Sequence, residues 1–292
     1  MIWISIIGLM IVLPLAGYFL LHYLIKHREK FYLFPFGMDL ETRYKYITPI
    51  EEIIIKYKST SSQNIKLFGY TSKPLSDIKP FHKILLYFHG NAGNIYYRIP
   101  TFRQILNKLN KLENDDYVLI AFDYRGYGCS SWGPGIDNIL EDGLEISKWS
   151  KTQFPHNNIY YYGESIGTSI VAYSSMYYPP KGIILKSPFY SMATLIADMY
   201  LLPYWLGDYI ASNDFTTAKW LISHEIDKHN IPLLIIYNKD DELIPRSNVE
   251  KLLSARTQQN HLSIEISGGH NDCEFDDIWY NAVKKILMPE YD

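Results

Sequence analysis

The sequence predicts one doubly wound, mostly parallel β-sheet of eight strands with helices on both faces. Three observations lead there. From residue 82 onward, short runs rich in Ile, Leu, Tyr and Phe alternate with longer segments whose apolar residues recur at helical spacing. The central runs, Ile84-Leu85-Leu86 and Leu233-Leu234-Ile235-Ile236, are apolar at every position, as strands buried on both faces must be. Ahead of them, two β-rich runs flank the polar stretch Ser59-Thr60-Ser61-Ser62-Gln63-Asn64, which reads as an antiparallel hairpin.

At 292 residues the chain is long enough for one large domain with a sizeable core. A net charge of −3 offers no strong basic surface, so no nucleic-acid partner is expected. The two cysteines, Cys129 and Cys273, form neither a disulfide framework nor a zinc-ligand spacing. The 26 tyrosines are spread over many elements and read as packing residues.

Ile2 to Ile25 contains no Asp, Glu, Lys or Arg. As a helix rising about 1.5 Å per residue it spans a hydrocarbon core of roughly 30 Å. The run is too long, and its start too uncharged, for a signal peptide. Residues 1–30 are therefore expected to form a transmembrane anchor with a basic flank, Lys26, Arg28 and Lys30. By the positive-inside rule that flank places the following domain, residues 31–292, on the cytosolic side. Phe31 to Pro49 reads as an aromatic, irregular segment packed toward the membrane.

Strands follow at Glu52–Tyr57 and Ile65–Thr71, then a loop over Lys73–Pro80 and a third strand over His82–Phe88. Thr101–Leu112 has helical spacing at Ile105, Leu106, Leu109 and Leu112. Tyr117–Phe122 is a strand, Asn138–Trp149 a helix, Ile159–Tyr162 a strand and Ser165–Met176 a helix. Gly182–Lys186 and Pro232–Tyr237 are strands, Asn248–Ser254 a helix, Leu262–Ile266 a strand and Asp276–Leu287 the last helix. Ser187 to Asn230 is too long for a plain crossover. It reads as a small cap, about 188–230, over the carboxyl edge of the sheet.

The stretch Gly163-Glu164-Ser165-Ile166-Gly167 sits between a strand and a helix. A turn this tight needs small residues at both ends and strains the central one. In return it lifts the Ser165 hydroxyl to the carboxyl edge of the sheet, the context of a nucleophile elbow. An activated serine needs a base, and the base an orienting acid, both in loops after later strands. His270 is the one histidine after the last strand, in Ser267-Gly268-Gly269-His270-Asn271-Asp272. The acid lies in Asn238-Lys239-Asp240-Asp241-Glu242. Asp240 and Asp241 are both open, with Asp241 preferred. An oxyanion hole takes two backbone amides. One is that of Ile166. The other belongs to the loop His89-Gly90-Asn91-Ala92-Gly93-Asn94, from Asn91 with Ala92 in reserve. His89 reads as a residue that holds this loop, and Asp123 as a structural turn residue partnered by Arg125.

Taken together, Phe88-His89-Gly90-Asn91-Ala92-Gly93-Asn94-Ile95, Asp123-Tyr124-Arg125-Gly126-Tyr127-Gly128, the Ser165 elbow and Gly269-His270-Asn271-Asp272 resemble the α/β-hydrolase superfamily over roughly residues 50–290. Within it they look like the α/β-hydrolase domain-containing protein 13 group and its fungal bud-emergence relatives, which also begin with a membrane segment. The resemblance implies Ser165 as nucleophile, Asp241 as acid and His270 as base. Asp241 also matches the family's Asp-x-x-Ile-Pro through Asp241-Glu242-Leu243-Ile244-Pro245. Tyr237-Asn238 departs from the His-Gly that many relatives carry there.

The implied activity is that of a membrane-anchored serine esterase, lipase or thioesterase acting on acyl-lipid or acyl-protein, with no metal or organic cofactor. A non-catalytic membrane scaffold on the same fold and a serine peptidase are the competing readings. A scaffold would be expected to lack a triad member, and a peptidase to carry a domain restricting access.

Overall fold

The computed structural model describes residues 16–17, 51–91, 93–113, 116–133, 135–199, 201–207, 222, 226–258, 260–272 and 274–288. The expected anchor, apart from Ala16 and Gly17, and the aromatic segment after it lie outside the described residues, as does much of the expected cap. Among the described residues no helix is long and apolar enough to cross a membrane.

Eight strands form one sheet: β1 Glu51–Lys58, β2 Asn64–Thr71, β3 Lys83–Phe88, β4 Tyr117–Phe122, β5 Asn158–Glu164, β6 Gly182–Lys186, β7 Leu233–Asn238 and β8 His261–Ile266. Their order across the sheet is β1-β2-β4-β3-β5-β6-β7-β8. β1 and β2 pair antiparallel, as does β2 with β4, and every pairing from β4 through β8 is parallel. The hairpin therefore becomes an antiparallel edge on a parallel sheet, which is the predicted class.

Among the described residues the main helices are α1 Ile99–Glu113, α2 Ile136–Gln153, α3 Ile166–Ser175, α4 Met192–Met199, α5 Arg246–Ala255 and α6 Asp277–Leu287. Side chains alternate across a strand, so successive residues of β3 enter different cores. Ile84, Leu86 and Phe88 join Ile139, Ile170, Val171, Val249 and Leu252 from α2, α3 and α5. Leu85 and Tyr87 join Ile105, Leu109, Trp279 and Val283 from α1 and α6. Both sheet faces are covered, which is why the middles of β3, β6 and β7 need to be apolar.

The first helix begins at Ile99 rather than Thr101, after a 3-10 turn over Ile95–Arg98. The Asn94 side chain caps that turn by accepting from the amides of Tyr96 and Tyr97. In the expected cap, α4 sends Met192 and Ile196 into the core. Its end docks on α5, where Asn248 Nδ2 donates to Asp198 Oδ2 at 2.6 Å.

Candidate active site

The elbow follows from crowding. A Cβ on Gly167 would lie 2.1 Å from the Phe88 carbonyl oxygen and 2.9 Å from that of His89. A Cβ on Gly163 would lie 2.8 Å from the Gly167 carbonyl oxygen. Strand, elbow and helix approach so closely that only glycine fits at either position. Ser165, between them, has φ 53° and ψ −120°, a strained conformation for a residue with a Cβ. It is half-buried at the amino end of α3. Its amide donates to the Lys186 carbonyl at 3.0 Å, which ties the elbow to the end of β6. Ile166 opens the helix, so its N–H has no intrahelical acceptor.

His270 lies in the loop after β8 and is buried. Its Nδ1 is 2.9 Å from Asp241 Oδ2 and 3.0 Å from Asp241 Oδ1. Asp241 Oδ1 also accepts from the amides of Leu243 and Ile244, at 3.0 and 2.8 Å. Burial pushes the Asp241 carboxyl up, but the His270 hydrogen bond and the Ile244 amide outweigh it and hold the pKa below the ordinary value. The carboxylate is therefore ionised and orients the ring. Asp240 is exposed and does not meet the imidazole. Glu242, the third acid of this loop, also takes part. That side chain is exposed, yet its Oε2 accepts from the His270 amide at 3.0 Å. Asn238 replaces the family's glycine usefully, since its Nδ2 donates to the Gly269 carbonyl.

Ser165 and His270 share no hydrogen bond. Such bonds are often long in unliganded enzymes and tighten with substrate. The two loops are nevertheless linked. Lys186, buried at the end of β6, places Nζ 2.8 Å from Glu164 Oε1 and 3.3 Å from the His270 carbonyl. Glu164 stands one residue before Ser165. Burial pushes its carboxyl up, but Lys186 and Arg98 hold it down to about 2.

The loop after β3 closes the other side. A Cβ on Gly90 would be 3.3 Å from Ser165 Cβ, which puts this backbone beside the elbow serine. Asn91 is half-buried and its Oδ1 accepts from Tyr127 at 2.7 Å. Ala92, the reserve donor, lies outside the described residues. His89 holds the loop as expected. Its Nδ1 donates to the Gly90 carbonyl at 2.7 Å, and its ring stacks on Tyr124 with centroids 4.3 Å apart. Burial and the nearby Arg98 depress its pKa to about 3, so the ring is neutral. Asp123 is not the partner of Arg125. Its Oδ1 accepts from the Ile95 amide at 2.9 Å and faces His89 Nε2 at 3.5 Å. Arg125 instead pairs with Asp142 and Glu141. Gly126, with a positive φ of 89°, turns the chain just after Arg125.

Glu164, Lys186 and Arg98 were not singled out from the sequence, and Asn238 was noted only as a departure from the family pattern. The available signal was a lysine ending an otherwise apolar strand, and a carboxylate inside the elbow motif.

A strained serine at the amino end of a helix and a later histidine–carboxylate pair, all along the carboxyl edge of this sheet, define an α/β hydrolase. The α/β hydrolase fold family matches residues 83–224, just under half of the chain, and the chain has that fold. Among curated proteins it is similar to the lysophosphatidylserine lipase ABHD12 of Danio rerio, 28% identical over 62% of this chain and 49% of that protein. The Macaca fascicularis ABHD12 is 30% identical over 59% of this chain and 45% of that protein. The chain thus aligns with about half the length of these curated relatives. Among solved structures it resembles the Pyrococcus furiosus esterase PF2001, with a TM-score of 0.59, 19% identity, and 82% and 90% of the two chains covered. Est1E of Butyrivibrio proteoclasticus, with ferulic acid bound, gives a TM-score of 0.59, 18% identity and coverage of 77% and 95%. At these identities the structural likeness speaks to the fold alone.

Proposed function

We propose that the protein is a serine hydrolase of carboxylic esters or thioesters, held at a membrane by residues 1–30. The observation that carries this is the pairing of His270 with Asp241 on the sheet edge that also presents the strained Ser165. Ser165 Oγ attacks the acyl carbonyl while His270 Nε2 takes its proton. Asp241 fixes the tautomer through Nδ1. The amides of Asn91 and Ile166 receive the developing oxyanion. The imidazolium then protonates the leaving alcohol or thiol. Water, deprotonated by the same imidazole, releases the acid and restores Ser165.

The apolar run before Lys26 would place this site beside lipid. The names of the curated relatives favour an acyl-lipid, with a single-chain lysophospholipid as the first substrate to try. The acyl chain would enter beneath the segment 188–230, read as a cap. The basic flank favours a cytosol-facing domain.

The test is labelling of the full-length protein by a fluorophosphonate together with a screen of esters of varied chain length. Ser165→Ala should abolish labelling and turnover while the melting temperature stays near that of the wild type. Labelling of another serine in that variant would sink the assignment.

A further inference from the structure

Arg98 ends the 3-10 turn after the loop at β3, and all three of its guanidinium nitrogens face that loop or the elbow. Nη2 donates to the Gly90 carbonyl at 3.1 Å, and Nη1 to the Asn94 carbonyl at 3.3 Å. Nε lies 3.5 Å from Glu164 Oε2, which also accepts from Tyr87 Oη at 2.7 Å. The other oxygen of Glu164 is held by Lys186, and Lys186 reaches the His270 carbonyl. A chain of charge-assisted bonds thus joins the loop after β3, the elbow and the histidine loop.

The Gly90 carbonyl belongs to the same peptide group as the amide of Asn91. Its oxygen has two acceptor positions, and the structure supplies two donors, Arg98 Nη2 and His89 Nδ1 at 2.7 Å. A trans peptide is planar, so fixing the carbonyl on one side fixes the N–H on the other. Rotating this peptide would break both bonds at once, one of them to a charged group and therefore among the stronger kind. Donation to the carbonyl oxygen also polarises the amide and strengthens its N–H as a donor.

We infer that Arg98, anchored by Glu164, is a positioning residue that aims the Asn91 amide at the oxyanion. The inference rests on the serine-hydrolase reading above and names what orients one of its two oxyanion donors. Arg98 acts through the peptide and not on the substrate. Its removal should therefore cost transition-state binding and leave ground-state binding alone.

The full-length Arg98→Met variant is tested with a p-nitrophenyl ester and with an alkyl boronic acid, whose tetrahedral adduct on Ser165 sets an oxygen in the oxyanion position. The expected result is kcat lower by roughly tenfold to a hundredfold, somewhat less than deletion of a donor itself causes. KM should stay within about twofold, and boronate inhibition should weaken by the same factor as kcat. Added methylguanidinium should restore part of the rate. In the crystal structure of the variant the Gly90–Asn91 peptide should be rotated.

An unchanged kcat in a folded variant overturns the inference, and so does a loss confined to KM with boronate affinity intact. Should Arg98→Met fail to fold, Arg98→Lys takes its place, since an ammonium cannot bridge Gly90, Asn94 and Glu164 together. Wild-type protein that hydrolyses no ester and takes no fluorophosphonate would sink the functional reading. The peptide's orientation in the variant crystals would still decide this one, with an unmoved peptide against it.

Discussion

His270 Nδ1 lies 2.9 Å from Asp241 Oδ2, and the neighbouring Asp240 is exposed and makes no hydrogen bond to the ring. The sequence could not separate these two acids by spacing. Asp241→Asn should lower kcat by as much as about 10⁴-fold, because the amide stabilises the wrong imidazole tautomer. The fold should survive, since the amide oxygen can still accept from Leu243 and Ile244. Asp240→Asn should change kcat by no more than a few-fold. Steady-state kinetics of the two variants side by side decide the matter, and a reversed ranking would remove Asp241 from the triad.

Gly167 and Gly90 should respond differently to alanine. At Gly167 the new Cβ meets the Phe88 carbonyl oxygen at 2.1 Å and its carbon at 2.7 Å. These are backbone atoms of a central strand and cannot move aside. Gly167→Ala should destabilise by about 3 kcal/mol or more, at the high end of overpacking. At Gly90 the nearest contact is Ser165 Cβ at 3.3 Å. Gly90→Ala should fold with a small loss of stability and a clear loss of turnover. Denaturant melts paired with an ester assay separate the two outcomes.

Glu164 makes stability depend on acid in a defined direction. Its carboxyl is held down to about 2 from an ordinary 4.5. Its contribution is therefore fully present above about 4.5 and is lost as pH falls toward about 2. Glu164→Gln should lower the melting temperature at neutral pH, because Lys186 is left buried without its counter-ion. The gap between variant and wild type should narrow as pH falls through that window. A gap that stays constant across the acid range would contradict the pairing.

The anchor is tested by extraction. Full-length protein should resist high salt and alkali, whereas a chain starting near Phe31 should be soluble or loosely attached. Protease added outside sealed microsomes should digest the hydrolase domain. Protection until detergent is added would reverse the orientation and leave the anchor standing.

Every strand and helix expected after residue 51 is present within a few residues, because each rests on local chemistry. Alternation of two, spacing of 3.6 and glycine-marked turns are properties of neighbours in the chain. The strained turn at Ser165 and the loop that carries His270 were legible for the same reason. One is a five-residue turn whose glycines the geometry demands, the other a glycine-bounded loop after the last strand. The proposed partnership of Asp123 and Arg125 failed because proximity in sequence is not proximity in space once a loop turns. Asp123 points under the loop after β3, and Arg125 into α2.

The sequence by itself determined the class of fold and proposed a serine, a histidine and a short list of acids for the site. Tertiary structure decided which acid meets the ring, where the elbow touches the loop after β3, and how the site is braced. The physical reason is distance along the chain. Lys186 reaches Glu164 across 22 residues and the His270 carbonyl across 84, and Asn238 reaches Gly269 across 31. Such contacts exist only once the strand order places β5, β6, β7 and β8 side by side. No local period encodes that order, so the braces of the site become visible only in the folded chain.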